Sequence, residues 1–191
     1  MKLGVAIAVL LLAAGISRAD EPLSFKGFEL GAPQDTFLSA FPRPNNCKGA
    51  APSSQLCVWL PASDCRDERS QCFQQINYGG VVPNGLLVDF VEGRLASVRL
   101  YFRSSEFRKL KDALVLRFGA PADSKTEVVQ NRMGATFNND RLLWLRQETL
   151  LSIRERAGKV DEGVVMLTSK SFMERRKEQD SGDLKARAKN L

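Results

Sequence analysis

"GLLVDFVEGRLASVRLYFRSSEFRKLKDALVLRFGAP", residues 85–121, changes its hydrophobic period partway along. In the first half Val88 and Phe90 share a face, and Val98, Leu100 and Phe102 alternate with Ser97, Arg99 and Tyr101. Alternation of this kind marks half-buried strands, and Glu92-Gly93 supplies a turn that tolerates positive φ. From Ser104 the spacing becomes helical, with Phe107, Leu110, Leu114 and Phe118 at steps of three and four. Ser104 or Ser105 is expected to cap the first turn, Glu106 suits the helix dipole, and Gly119 with Pro121 ends the helix. A hairpin followed by a helix with one apolar face predicts a sheet with one face on the core and the other toward water.

The same order is expected upstream. "LSFKGFELGAPQDTFLSAFP" places Leu23, Phe25 and Phe28 on a short strand. Pro33 and Asp35 suit the start of a helix whose apolar face is Phe37, Leu38 and Phe41, and Pro42 ends it. Strands are then expected over residues 56–60 and 72–78. Downstream of the second helix, strands are expected over 126–131, 135–138, 141–146, 149–154 and 164–169. "NND" (138–140) and "AGKVDEG" read as turns. "FLSAFPRP" and "LVLRFGAP" occupy matching helix ends, and "VWL" and "LWL", with Trp59 and Trp144, follow on strands. The expected fold is therefore α+β, with helices packed on one face of an antiparallel sheet and a tandem helix-then-strands repeat spanning residues 23–102 and 103–169. Residues 173–191 read as a charged tail or solvated helix.

Met1-Lys2, the apolar run "LGVAIAVLLLAAG" and the small residues Ser17 and Ala19 form the pattern of a secretory signal, residues 1–19, cleaved near Ala19-Asp20. The run is too short, and too interrupted by Gly15 and Arg18, for a membrane span. The expected location is periplasmic or secreted, with the α+β domain over residues 20–172. All four cysteines, Cys47, Cys57, Cys65 and Cys72, lie in one polar segment, and the chain has no histidine. An even set in an oxidising compartment predicts two disulfides, stapling the fold rather than holding zinc. All three pairings remain open. Each bond is expected to contribute about 2–4 kcal/mol by restricting the unfolded chain.

The absence of histidine excludes Ser-His-Asp and Cys-His catalysis in their ordinary form. Paired carboxylates remain available to a hydrolase, with Asp89, Glu92, Glu106 and Asp112 near the hairpin and helix. These read first as turn, cap and surface charges. "GGVVPNG" lacks the lysine and helix of a phosphate loop. No cofactor and no metal are implied. The formal charge of +6 falls to about +4 without Lys2 and Arg18, which makes nucleic acid a poor candidate partner for an exported chain. Peripheral contact with an anionic surface is compatible with it.

Candidate partner-binding residues are Arg99, Arg103, Arg108 and Lys109, gathered at the strand–helix junction, and Trp59 and Trp144 as aromatic anchors. Aromatic residues in apolar strands are more often core.

"FKGFELGAPQDTFLSAFP" resembles the opening of small bacterial envelope proteins of the barrel-assembly small-lipoprotein type (SmpA/OmlA). "INYGGVVPNGLLVDFVEGRLASVRLYF" and "LRFGAP" look like segments of exported proteobacterial proteins. The tandem order is similar to that of the secreted beta-lactamase-inhibitor protein. The chain departs from the lipoproteins in lacking a lipobox cysteine and in carrying the cysteine segment. The resemblance implies helices on a small antiparallel sheet, and no functional residue is carried over. Together these readings point to a non-enzymatic module that binds a protein partner in the cell envelope, for assembly or for inhibition of an exported enzyme. A carboxylate-dependent hydrolase and a small-ligand binder are the alternatives.

Overall fold

The computed structural model of the protein describes residues 21–41, 46–49, 54–59 and 76–188. The expected signal segment, Cys65 and Cys72 lie outside the described residues. Helix α1 (Gln34–Ala40) precedes strands β1 (Asn46–Lys48), β2 (Gln55–Trp59), β3 (Gly85–Val91) and β4 (Arg94–Arg103). Helix α2 (Phe107–Phe118) precedes β5 (Asp123–Gln130), β6 (Thr136–Arg146), β7 (Thr149–Arg154) and β8 (Glu162–Ser169), and α3 (Lys170–Ala188) follows. The eight strands form one antiparallel sheet in the order β1-β2-β3-β4-β8-β7-β6-β5. That order is unchanged when the two runs of four strands are exchanged, and β4 and β8 meet at its centre.

The β3–β4 hairpin turns at Glu92-Gly93, both at positive φ (51° and 70°), as a two-residue turn matching strand twist requires. Val98, Leu100 and Phe102 lie opposite Leu167, Val165 and Gly163 on one face. Gly163 is needed there: a Cβ would stand 2.4 Å from the Phe102 ring. The row continues through Ile153 and Leu151 to Leu142 and Trp144, and in the other direction through Leu86 and Val88 to Trp59 and Cys57. All of these side chains are buried.

Both α1 and α2 lie on this face. Phe37 of α1 packs edge-on against Trp59 and Phe90, with Phe25, Phe28 and Phe41 completing the aromatic cluster. Phe107, Leu110, Leu114 and Phe118 of α2 are buried, and its end is pinned by bonds from Trp144 Nε1 to Gly119 O and from Arg146 to Phe118 O. Each tryptophan, on the second strand of its run, thus braces the helix that precedes that run.

Several expectations are corrected. Helices are not confined to one face, because α3 runs across the other: its Arg176 reaches Asp89, which points away from α1 and α2. Phe25 and Phe28 form a tight turn with reciprocal backbone bonds, not a strand. Tyr78 bridges Val81 across a Gly79-Gly80 turn where the end of a strand was expected; residues 72–75 lie outside the described set. "NND" is no turn. Asn138, Asn139 and Asp140 continue β6 because β5 pairs with them, and buried Asn139 accepts the Arg156 amide while Asp140 accepts the Thr126 hydroxyl. Ser104 and Ser105 form a 3-10 turn before α2, with no side-chain bond capping the helix.

Cys47 and Cys57 stand opposite each other on β1 and β2 and are joined by a disulfide. Of the three pairings, this is the one between sequence neighbours, and it ties the short edge strand to the sheet.

Candidate functional site

Alternation sends every second side chain of the sheet to the face away from α1 and α2. Three rows cross it. One runs Asp89–Ser97–Thr168–Leu150–Leu145, the next Leu87–Arg99–Met166–Ser152–Leu143, and the third Tyr101–Val164–Arg154–Arg141–Lys125. Helix α3 crosses over the first row from Asp89 to Leu150. Beyond it Tyr101, Val164, Met166 and Leu143 are only half-buried, and Leu145 is 43% exposed. Apolar and aromatic side chains flanked by arginines, with water access, are the composition of a recognition surface.

Charge is organised at the α3 end. Asp89, 7% exposed, accepts a 2.9 Å bond from Arg99 and lies 3.5 Å from Arg176. Two cations around one buried carboxylate leave a net positive charge beneath α3. Between α3 and the sheet lies a groove of about 470 Å³, with Leu150, Met166, Phe172 and Met173 as its apolar walls and Ser97, Arg99 and Thr168 on its floor. At the other end of the sheet, a hydrogen bond and the positive charge of Lys125 hold the exposed Glu127 carboxyl below its usual range.

The structure separates the residues expected to act together. Trp59 and Trp144 are 1% and 2% exposed, so they are core and cannot anchor a partner. Arg99 lies on the open face, bonded to Asp89, whereas Lys109 sits on the α2 side and donates to Gly80 O at 2.6 Å. Arg108 is exposed on the first turn of α2, and Arg103 ends β4 opposite Glu162. The four cations do not make one patch, because the strand-to-helix turn carries the chain from one side of the sheet to the other.

The acids are equally dispersed: Glu92 in a hairpin turn, Glu106 before α2, Asp112 exposed on α2, Asp89 between two arginines. Among the described residues no group of three or more Cys, Asp or Glu is placed to hold a metal ion. None of the described helices is long and apolar enough to cross a membrane.

Sequence reasoning missed Met166, Thr168 and Leu143. In "GVVMLTS" and "RLLWL" nearly every residue is apolar, so the alternation that would separate the two faces is invisible. The alternation within β4 was the available signal, since register carries it onto β8 and β7. No family model, curated protein or solved structure matches the chain.

Proposed function

We propose that the protein is an exported, non-enzymatic binding module that recognises a protein partner of the cell envelope through the open face of its sheet. The observation that carries this reading is the uncovered surface of Tyr101, Met166, Leu143 and Leu145 flanked by Arg141 and Arg154 on a rigid eight-stranded scaffold. Rigid strands hold such anchors with little entropy to lose on binding. The Cys47–Cys57 disulfide supports an oxidising, exported location for the chain. The exchangeable strand order supports two tandem units, residues 23–102 and 103–169, whose joined sheets make one face wide enough for a partner. Assembly of the envelope and inhibition of an exported enzyme are both served by such a face.

The test is crosslinking capture from envelope extracts with face variants. Leu143→Asp with Met166→Asp should abolish the captured species, while Arg108→Glu on the opposite side should leave it intact. Loss with Arg108→Glu and retention with the face variants would move the site to the strand–helix junction.

A further inference from the structure

Thr168 is an uncharged residue of the open face whose burial the fold does not explain. It is 1% exposed, and its Oγ1 has no hydrogen-bond partner among the described residues. A buried hydroxyl left unpaired is costly, and valine would fill the same space without that cost. Arg99, its diagonal neighbour across β4 and β8, has the same property at Nε, since its bond to Asp89 uses a terminal nitrogen. Both residues line the groove under α3, and the two unpaired atoms lie closed off beneath its surface, so a ligand reaches them only when α3 shifts. An arginine Nε–H can only donate and a threonine hydroxyl can donate, so an oxygen acceptor between them would satisfy both. The local balance of Arg99 and Arg176 against Asp89 is positive, which favours an anionic acceptor. Above this polar floor the walls are Leu150, Met166, Phe172 and Met173. Methionines adapt to flexible apolar chains, and about 470 Å³ is within the usual size for a small-molecule site.

We infer that the groove between α3 and the sheet binds a single-chain amphiphile with a carboxylate head. The head sits between Thr168 Oγ1 and Arg99 Nε, and the alkyl tail lies along Met166, Phe172 and Met173. This site overlaps the proposed partner surface at Met166 alone: Thr168, Arg99, Phe172 and Met173 belong to the groove, and Tyr101, Leu143 and Leu145 to the partner surface.

The test is calorimetric titration of the full-length exported protein with sodium decanoate, held below its micelle-forming concentration. Acetate serves as the probe without a tail, and decanol as the probe without the charge. Saturable decanoate binding is expected, with acetate and decanol each at least about ten-fold weaker. Thr168→Val should weaken decanoate by about ten-fold, the loss of one charge-assisted hydrogen bond, while raising the melting temperature of the free protein. A hydroxyl with a purely structural role would instead lower it. Met173→Glu, at an exposed wall position, should abolish binding without touching the floor. Absence of saturable decanoate binding up to about 1 mM would overturn the proposal, as would wild-type affinity in both variants. Equal affinity for decanol and decanoate would also overturn it, by removing the role of the cation. Envelope capture is read separately with Leu143→Asp alone, which leaves the groove untouched, so failure here leaves the partner reading standing.

Discussion

The two faces of the sheet are built from the same strands, residue by residue in alternation, yet they follow different rules. On the face beneath α1 and α2, Leu86, Val88, Leu100, Ile153 and Val165 are all but completely buried, and aromatic rings fill the space between sheet and helix. On the other face the same strands present Arg99, Tyr101, Met166, Ser152 and Leu143, half-buried and chemically mixed. One face is packed to hold the fold together. The other keeps apolar side chains where water reaches them, an arrangement that stability alone does not favour. On the proposed reading, stability and recognition are assigned to opposite sides of one backbone.

The contrast is sharpest for paired truncations. Leu114, 3% exposed on α2, should cost about 2–5 kcal/mol on change to alanine. Leu143→Ala on the open face should cost about 1 kcal/mol or less. Urea unfolding of the two variants side by side is the measurement, and equal losses would break the distinction between the faces.

A second experiment titrates the closed face. Tyr78 is buried against Phe25, and burial pushes its hydroxyl from 10.0 up to about 12 despite the opposing pull of Arg117. The folded protein therefore holds this proton more tightly than the unfolded chain does. The resulting stabilisation is complete below pH 10 and is lost as the pH rises from there through 12. A shift of that size corresponds to roughly 2–3 kcal/mol. Unfolding at about pH 9 and about pH 11.5 should show Tyr78→Phe losing less stability than wild type across that interval. Parallel losses would place the hydroxyl in contact with water.

The smallest effect belongs to the open face. Arg176 is 43% exposed and 3.5 Å from Asp89, which keeps its 2.9 Å bond to Arg99. Arg176→Ala should therefore lower global stability by less than about 1 kcal/mol, while hydrogen exchange of the α3 amides accelerates. A large global loss would mean that α3 is part of the core and not a cover over the face.

Much of the closed face was legible in residues 85–121, because both of its periods are clean there. The strand repeat of Val98, Leu100 and Phe102 and the helical repeat of Phe107, Leu110, Leu114 and Phe118 each specify a buried side. The "NND" segment was misread because asparagine and aspartate favour turns locally, and only pairing with β5 holds them extended. The basic junction was misread for a different reason. Proximity in sequence places Arg99 and Lys109 ten residues apart, but the turn at Ser104–Glu106 sends them to opposite sides of the sheet.

By itself the sequence determined the α+β class, the hairpin, the second helix and the order of a helix followed by strands, twice over, since each depends on local period and turn chemistry. The tertiary structure decided which cysteines pair in the described part, which face stays open, and where α3 lies. Those outcomes depend on register between strands far apart in the chain, such as Thr168 beside Ser97 and Arg176 above Asp89. No local period encodes a contact made across such distances, because it forms only when the whole sheet has closed.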